Sequence, residues 1–363
     1  MGKPGVWSWD RVNPGTAALL EMPRFGADEN VLDLGCGTGV IGAIAGLLMP
    51  QGHATLVDSN LVAATCARRT LEENGVTNAE VRLGDGVEEL DPASFDLVLC
   101  HLPRGRDVQR ELIRGGAHVL RPGGRFYFVA STHVGVKGVV AYARELFGRC
   151  GVVRQKKGYH VAMTVQPEGM ELPPLHAGYV THRVVIDGVE TTLVSKPGVF
   201  AWDRLDEGTA RLIDSMTVSA GDRVLDLGCG TGLAGLAAAR RVPNGAIVLV
   251  DTDLRAVRSA RYTLEANSVA NADVRLSDGV SQVISQRPFD VVITNPPFHQ
   301  GREVDYDVAQ QFVRGSQRVL RPGGRLFLVA NRFIGYDDLI RRTFGNVDTA
   351  YAGSGYHVLT ARA

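Results

Sequence analysis

The chain has 363 residues, with 39 basic and 39 acidic side chains and a hydrophobic content of 45%. This size favours two globular domains with ordinary cores. The formal charge of zero argues against a surface that binds polyanions everywhere, so a nucleic-acid partner would need a local basic patch. The five cysteines include no C-x-x-C pair, which predicts reduced thiols and neither a zinc site nor a disulfide framework.

The sequence has no pattern that is typical of a membrane protein or a secreted one. The first residues, MGKPG, lack the apolar core of a signal peptide, and no apolar run is long enough to cross a bilayer. We therefore expect a soluble cytoplasmic protein without a membrane partner, and we expect it to be a monomer.

One long pattern occurs twice in the chain. Residues 3–11 (KPGVWSWDR) recur as residues 196–204 (KPGVFAWDR), and residues 31–39 (VLDLGCGTG) recur unchanged as residues 224–232. Further pairs follow in the same order: Asp58 with Asp251, Asp85 with Asp278, residues 121–125 with 321–325, and residues 158–161 with 355–358. A repeat of this length is too long for a solenoid and predicts two complete domains of one fold.

A segment that contains proline and glycine, residues 167–174, separates the two copies. We expect an N-terminal domain at residues 1–165, a linker at 166–180 and a C-terminal domain at 181–363. Residues 181–186 and 189–194 flank Asp187-Gly188, which predicts a hairpin with a type I′ turn. The hairpin has no counterpart before residue 3, so it should belong to the C-terminal domain or lie between the domains.

Each copy alternates strand and helix patterns. In the second copy the predicted strands are residues 223–227, 247–250, 272–276, 289–294 and 325–330. The predicted helices are residues 233–241, 254–267, 304–320 and 336–344. Such alternation predicts a parallel α/β sheet covered on both faces. The tail, residues 347–351 and 356–361, predicts a closing antiparallel hairpin.

Polar residues at three strand ends of the second copy are typical of a nucleoside site. They are a glycine loop with its preceding acid (Asp226, Gly228, Gly230 and Gly232), the strand-terminal Asp251, and the pair Asp278-Gly279. Glycines permit sharp turns and close approach of a ligand. Asp251 can accept hydrogen bonds from ribose hydroxyls, and Asp278 from an adenine amino group whose ring lies along Gly279. Asp226 would repel phosphate and attract ammonium, and the loop lacks G-x-G-x-x-G spacing, so an adenosine with an α-amino acid is favoured over NAD.

The segment Asn295-Pro296-Pro297-Phe298 follows the predicted strand 289–294. Two consecutive prolines make a stiff loop, and α/β proteins bind ligands at the carboxyl ends of their strands. The Asn295 side chain and the Pro296 backbone each offer a carbonyl acceptor, and Phe298 offers a flat apolar face. This combination predicts a site for an amino group on a planar π-system.

Together these motifs resemble the class I S-adenosylmethionine-dependent methyltransferases, in which Asn-Pro-Pro-Phe marks enzymes that methylate amino groups. The longer run 295–301 (NPPFHQG), the duplication and the segment 196–200 resemble the bacterial ribosomal RNA guanine-N2 methyltransferases. The resemblance implies two tandem Rossmann-like domains, each with a mostly parallel seven-stranded sheet, helices on both faces and a C-terminal antiparallel hairpin. It also implies S-adenosylmethionine as cofactor, S-adenosylhomocysteine as product, no metal, and ribosomal RNA or a ribosomal subunit as partner.

The resemblance places catalysis on Asn295, Pro296, Pro297 and Phe298, and the cofactor on the residues named above. Thr209, near a predicted helix start, could reach the methionine end of the cofactor or contribute to the helix cap. An adenine N6 amine or a protein glutamine amide would present the same planar amino group to this loop. A catalytically silent, cofactor-binding RNA scaffold is the alternative from another class.

The N-terminal copy differs at the corresponding loop. His101-Leu102-Pro103-Arg104 aligns with Asn295–Phe298, so the acceptor pair and the aromatic ring are absent. In the resembling family an inactive N-terminal copy precedes an active one, and we expect the same division here. The retained glycine loop and Asp58 leave cofactor binding in this copy open. Candidate phosphate contacts are Arg104, Arg106, Arg110 and Arg114 in the first copy and Arg314, Arg318 and Arg321 in the second.

Overall fold

The structure is a computed structural model that describes residues 2–171, 175, 178–297 and 306–363, without the side chains of Val134 and Tyr306. The chain divides into two compact units, Met1–Gly178 and Tyr179–Ala363. Within the described residues, no helix combines the length and apolar character needed to cross a membrane.

Part of the segment expected as a linker is packed on the first unit. Gln166 is buried, and its side-chain amide donates to the Ala117 carbonyl at 3.1 Å. Met170 and Leu175 pack against the apolar core of the same unit. The ordered N-terminal unit therefore extends beyond residue 165.

The N-terminal unit is a seven-stranded sheet with helices. Its strands are β1 (Asn30–Leu34), β2 (His53–Asp58), β3 (Ala79–Leu83), β4 (Phe95–His101), β5 (Leu120–Ser131), β6 (Gly151–Lys156) and β7 (Tyr159–Val165). Its α-helices are α1 (Pro14–Leu20), α2 (Val40–Leu48), α3 (Leu61–Glu73), α4 (Arg106–Val119) and α5 (Val136–Phe147). The strand order is β3-β2-β1-β4-β5-β7-β6, and only the last two strands run antiparallel to their neighbours.

The C-terminal unit repeats this topology after a hairpin. The hairpin strands are β8 (Val180–Ile186) and β9 (Val189–Ser195). The sheet strands are β10 (Arg223–Leu227), β11 (Ala246–Asp251), β12 (Ala272–Leu276), β13 (Phe289–Thr294), β14 (Leu320–Asn331), β15 (Asp348–Gly353) and β16 (Tyr356–Arg362). The helices are α6 (Glu207–Ser215), α7 (Leu233–Arg241), α8 (Leu254–Ala266), α9 (Tyr306–Val319) and α10 (Tyr336–Phe344). The order β12-β11-β10-β13-β14-β16-β15 confirms the predicted mostly parallel sheet with its antiparallel hairpin.

Both faces of the C-terminal sheet are buried, as the continuous apolar strands predict. Successive strand residues point to opposite faces. Val224 accordingly packs in an apolar cluster that contains Leu236 of α7, whereas Leu225 packs in a second cluster that contains Val313 of α9. Helices therefore cover both faces, and the carboxyl ends of the parallel strands stay available for a site.

The hairpin of β8 and β9 belongs to the C-terminal unit. Asp187 and Gly188 have φ values of 53° and 74°, which is the pair of positive angles that a type I′ turn requires. The Thr192 amide donates to Asn267 Oδ1 at 3.1 Å, and the Thr263 hydroxyl donates to the Val194 carbonyl at 3.2 Å. The hairpin is thus fixed to the end of α8.

The helix and strand positions predicted for the second copy agree with the structure, apart from one strand start. The predicted strand 325–330 begins earlier, at Leu320, because Leu320 pairs with Phe289 before a register shift in the ladder. The predicted helix 304–320 is observed as α9, and its first two residues lie outside the described residues.

Candidate functional site

The site lies where β10 and its neighbour β13 end. The Thr294 hydroxyl, at the end of β13, donates to the Leu227 carbonyl, at the end of β10, across 2.7 Å in a buried position. The glycine loop follows Leu227 and the Asn-Pro-Pro segment follows Thr294. The two sequence motifs therefore start side by side at one edge of the sheet.

The glycine loop has a backbone that only glycine adopts readily. Gly228, Gly230 and Gly232 have φ values of 76°, 52° and 82°. A Cβ atom on Gly230 would meet no atom within 4 Å, whereas one on Gly232 would lie 2.9 Å from Ala260. Gly230 thus borders open space where a ligand can approach, and Gly232 permits close packing of α7 on α8.

Asp226 lies behind the loop and is only 2% exposed. Its Oδ2 accepts from the backbone N–H of Gly235, in the first turn of α7, at 2.8 Å. Burial, together with the nearby charge of Asp251, raises the pKa of Asp226 to about 7. Asp226 therefore joins the loop to its helix, and its predicted attraction for an ammonium group would act from a buried position.

Asp251 binds the loop from the neighbouring strand. Its Oδ2 accepts from the Gly230 N–H at 2.9 Å and its Oδ1 accepts from the Asp253 N–H at 3.0 Å. Burial raises its pKa to about 6, although these backbone hydrogen bonds act in the opposite direction. The carboxylate is half-buried, which suits a group that would accept hydrogen bonds from a ribose.

Asp278 and Gly279 follow β12, on the far side of β11. The backbone N–H of Ser277 donates to the Asp251 carbonyl at 2.8 Å, and its hydroxyl donates to the Gly279 carbonyl at 2.8 Å. Asp278 is half-buried, and a Cβ atom on Gly279 would meet no atom within 4 Å. The structure thus brings this pair to the same sheet edge as Asp251. Assignment of both residues to the cofactor stays a prediction.

Asn295 has its side-chain amide in a defined orientation. Its Nδ2 donates to Thr209 Oγ1 at 3.0 Å and to Asp206 Oδ2 at 3.3 Å. Asp206 is the N-cap of α6, and its Oδ2 also accepts from the Thr209 N–H at 2.9 Å. Because the amide nitrogen is committed to these acceptors, the carbonyl oxygen is left as the free acceptor, with no partner among the described residues.

The rest of the catalytic loop is only partly described. Pro296 is buried and Pro297 is exposed, so the chain leaves the sheet edge at this point. Phe298 and His299 lie outside the described residues, and the stacking role of Phe298 stays a prediction.

Sequence reasoning missed two residues near the start of α6, Asp206 and Tyr356. Asp206 lies at the helix start near Thr209 and Tyr356 lies in the repeated segment 355–358, but neither pattern by itself predicts a role at this site. A Cβ atom on Gly208 would lie 3.0 Å from Tyr356 Cε1, so the tyrosine ring packs over the start of α6. Burial and the nearby carboxylates of Asp206 and Glu207 raise the pKa of Tyr356. The recurrence of this tyrosine as Tyr159 was the available signal.

Thr209 contacts the proposed catalytic residue directly. The cap of α6 is the Asp206 side chain, and the Thr209 hydroxyl accepts from Asn295. This contact gives Thr209 a positioning role that the sequence did not predict. Its assignment to the methionine end of the cofactor stays a prediction.

The N-terminal unit has a different arrangement at the same place. The pairing Cys100↔Phe128 corresponds to Thr294↔Leu328, so His101 occupies the position of Asn295. His101 Nδ1 lies 2.9 Å from Thr16 Oγ1. The His101 ring packs edge-on against Trp7, with 4.4 Å between the ring centroids. Burial lowers the pKa of His101 to about 4, so the ring is neutral at pH 7.

The arginines proposed to contact phosphate fall into different classes. Arg104 and Arg106 are exposed and have no ion pair among the described residues. Arg321 is not free, because its Nε is 2.5 Å from Asp290 Oδ1. Arg110 lies over the Tyr142 ring at 5.1 Å. Arg314 and Arg318 are likewise exposed and without an ion pair among the described residues, so they stay candidates together with Arg104 and Arg106.

Within the described part of the chain, no cluster of three or more His, Cys, Asp or Glu side chains could hold a metal ion. All five cysteines are buried, and none of them forms a disulfide.

Comparison with known proteins identifies relatives along most of the chain. The pattern of the methyltransferase small domain family matches residues 1–163 and 190–360. A ribosomal RNA small subunit methyltransferase C from Hahella chejuensis is 34% identical over 270 residues, which cover 74% of this chain and 78% of the relative. A protein of the same name from Pseudomonas aeruginosa is 34% identical over 265 residues, 72% of this chain and 77% of the relative.

A solved structure covers almost the whole chain. It is a 16S rRNA N2 guanine methyltransferase from T. thermophilus in complex with AdoMet and guanosine. It has a TM-score of 0.86 and 32% identity, and the match covers 99% of this chain and 94% of that one. The chain therefore belongs to the methyltransferase small domain family, among the relatives of ribosomal RNA small subunit methyltransferase C.

Proposed function

We propose that this methyltransferase transfers a methyl group from S-adenosylmethionine to the exocyclic N2 amine of a guanine in small-subunit ribosomal RNA. The observation that carries the proposal is the fixed amide of Asn295. Its nitrogen is held by Thr209 and Asp206, which leaves the oxygen to accept from an amine at the sheet edge. The names of the relatives supply the guanine and the small subunit.

The residues of the C-terminal unit fit the cofactor by their chemistry. Positive φ values at the glycine loop and the open space beside Gly230 permit close approach of a ligand. Asp251 can accept from ribose hydroxyls, and Asp278 with Gly279 can border the adenine. Carboxylates suit an ammonium or sulfonium group and oppose a pyrophosphate. When bound, S-adenosylmethionine supplies an electrophilic methyl group.

The catalytic loop acts on the amine. The lone pair of a guanine N2 amine is delocalised into the ring, which makes the nitrogen a poor nucleophile. Hydrogen bonds from the amine to Asn295 Oδ1 and to the Pro296 carbonyl would favour a tetrahedral nitrogen with its lone pair directed outward. Because these acceptors stand on the stiff end of a buried strand, they orient the amine without rearranging. The guanine must leave any base pair that buries its N2 group.

The N-terminal unit is proposed to bind RNA and to catalyse no methyl transfer. His101 replaces the amide acceptor, and its Nδ1 is already engaged by Thr16. Leu102, in place of Pro296, is buried, and its N–H donates to the Val129 carbonyl at 2.9 Å. The exposed Arg104 and Arg106 follow the same strand and suit phosphate contacts.

The test is nucleoside mass spectrometry of small-subunit ribosomal RNA from a strain that lacks this protein. N2-methylguanine should fall by one residue per RNA and return with the wild-type chain. It should return with Asn244→Ala, which removes an exposed amide before the start of β11, at the opposite edge of the sheet from Asn295, and stay absent with Asn295→Ala. Full methylation by Asn295→Ala would contradict the assignment of catalysis to the C-terminal unit. Loss of a methylated adenine or of a methylated release factor, with N2-methylguanine unchanged, would contradict the assignment of guanine N2 as the methyl acceptor.

A further inference from the structure

We propose that the N-terminal unit contains a second adenosyl-binding site, which holds S-adenosylmethionine or S-adenosylhomocysteine without methyl transfer. The site is formed by residues at the carboxyl ends of β1, β2 and β3: Asp33, Gly35, Gly37, Gly39, Asp58 and Asp85. This inference goes beyond the methylation proposed for the C-terminal unit and does not depend on which base is methylated.

The glycine loop of the N-terminal unit has the same backbone as the C-terminal one. Gly35, Gly37 and Gly39 have φ values of 76°, 55° and 77°, within a few degrees of their C-terminal counterparts. The Gly35 N–H donates to the Val57 carbonyl at 2.8 Å, as the Gly228 N–H does to Val250 at 2.9 Å. Gly39 also has a packing role, because a Cβ atom on it would lie 2.8 Å from Ala67. Gly35 and Gly37 have no such packing role, so their positive φ values are the ones that suit a closely approaching ligand.

Asp58 makes the hydrogen bonds that Asp251 makes in the other unit. Its Oδ2 accepts from the Gly37 N–H at 2.9 Å, and its Oδ1 accepts from the Asn60 N–H at 2.9 Å. These bonds hold the Asp58 carboxylate beside the loop, and each of its oxygens has the same kind of donor as the corresponding oxygen of Asp251. Asp58 can therefore accept from ribose hydroxyls as readily as Asp251.

One oxygen of a buried carboxylate behind the loop lacks a hydrogen-bond partner among the described residues. Asp33 is fully buried, and its Oδ2 accepts from the Gly42 N–H at 2.9 Å. Its Oδ1 is buried with no hydrogen-bond partner within the described ranges. Burial and the neighbouring charge of Asp58 raise the pKa of Asp33 to about 7. Two acids this close repel each other when both are ionised, so a ligand with an ammonium or sulfonium charge would relieve the repulsion.

The face of this loop is open. Cβ atoms placed on Gly35, Gly37 or Gly86 would meet no atom within 4 Å. In the C-terminal unit, by contrast, a Cβ atom on Gly228 would lie 2.9 Å from the Phe312 ring of α9. No ring is therefore packed against the first glycine of the N-terminal loop. The absence of an acceptor pair beside it, with His101 in place of Asn295, accounts for binding without transfer.

Equilibrium dialysis of the full-length protein gives the number of sites directly, with S-adenosylhomocysteine and S-adenosylmethionine as separate radiolabelled probes. We expect two bound ligands per chain for at least one probe. Asp58→Ala and Asp251→Ala should each leave one, and the double variant should leave none. A wild-type stoichiometry of one, which Asp251→Ala removes and Asp58→Ala does not change, would overturn the proposal.

Asp58→Ala could lose a ligand simply because it fails to fold, and two controls address this. The first is the number of ligands bound by the wild-type chain, which depends on no variant. Asp85→Ala, at the end of β3, also removes a proposed ligand contact but leaves the hydrogen bonds between Asp58 and the glycine loop intact; it too should leave one site. A stoichiometry of two that both variants retain would place the second ligand elsewhere and refute the assignment. Displacement of radiolabelled S-adenosylmethionine from the second site by NAD, and not by unlabelled S-adenosylhomocysteine, would refute the ligand class.

Discussion

Thr209 accepts a hydrogen bond from the Asn295 amide at 3.0 Å, and Thr16 stands at the same distance, within 0.1 Å, from His101 in the N-terminal unit. The threonine is thus common to both units, whereas its partner is an amide in one and an imidazole in the other. The amide leaves a carbonyl oxygen to accept from a substrate, whereas the imidazole has no carbonyl oxygen and its Nδ1 faces Thr16. We propose that this difference makes the C-terminal strand end catalytic and the N-terminal one inactive.

Asn295→Ala and Asp251→Ala should affect different steps. Asn295→Ala is expected to lower kcat by about two to three orders of magnitude, as removal of one preorganised polar group does in other enzymes, and to leave the affinity for S-adenosylhomocysteine nearly unchanged. Asp251→Ala should weaken that affinity, because it removes the acceptor that faces the ribose and the bond to Gly230. Single-turnover kinetics and calorimetry measure the two effects. The reverse pattern would exchange the two roles.

Thr209→Val should reduce kcat about fivefold, because Asn295 loses one of the two acceptors that orient its amide and a neutral hydrogen bond contributes about 1 kcal/mol. Thr209→Ser, which keeps the hydroxyl, should restore the rate. The dissociation constant of S-adenosylhomocysteine is measured in parallel. A large rise in that constant with unchanged kcat would instead favour the predicted contact with the methionine end of the cofactor.

Cofactor binding should weaken as the pH falls below about 6. Asp251 has a raised pKa of about 6, and its ionised form is the one that accepts from two hydroxyls. Protonation below that pH converts one acceptor oxygen into a donor, so affinity should fall by up to about tenfold per pH unit. Calorimetric titrations at several pH values measure this trend. Asp251→Asn should bind weakly with a flatter profile, and an equally steep profile in that variant would exclude Asp251 as the titrating group.

Ligand-free stability should fall as the pH rises through about 7. The folded pKa of Asp226 is raised from its ordinary value of 3.8 to about 7, so protonation favours the folded state. Its stabilising contribution is fully present below about pH 4 and is lost through pH 7, at up to about 1.4 kcal/mol per pH unit. Asp226→Asn, which keeps an oxygen for the Gly235 N–H, should show a smaller decrease in Tm between about pH 5 and pH 8. Asp214→Asn, at an exposed position, should keep the wild-type decrease; an Asp226→Asn profile that matches the wild type would contradict the raised pKa.

Arg104→Glu with Arg106→Glu should weaken RNA binding and reduce the slope of log Kd against log salt by about one to two, since each phosphate contact contributes somewhat less than one. The affinity of the C-terminal unit for S-adenosylhomocysteine should not change. The matched control, Arg341→Glu with Arg342→Glu, alters charge equally on α10 and should have a smaller effect. Filter binding across a salt series measures the slopes. Equal losses in the two double variants would indicate a general charge effect and no specific contact.

Much of the fold and the family followed from the sequence because the copies could be compared with each other. The repeated glycine loop and the strand-terminal acids located β10, β11 and β12 along the chain. The family predicted from these motifs is confirmed. The hydrogen bonds of Asn295 could not be predicted, because Asp206 and Thr209 lie nearly ninety residues earlier and meet it only through the sheet. The burial of Asp226 behind the loop could not be predicted either, and its role toward the cofactor stays a prediction. The ion pair of Arg321 with Asp290 was also unpredictable, because it is a tertiary contact.

The hydroxyl of Thr294, bonded to the Leu227 carbonyl at 2.7 Å, joins the strand before the glycine loop to the strand before the catalytic loop. In the proposed reaction the methyl donor and the methyl acceptor would thus be held by one rigid frame. The distance between them would be set during folding and not during turnover. Because folding has already fixed the two binding positions, little further entropy is lost in orienting the reactants toward each other. A loosened frame would slow the reaction while each reactant still bound normally, so a defect here would escape any screen based on affinity. The N-terminal unit has Cys100 at this position, and we propose no methyl transfer for that unit.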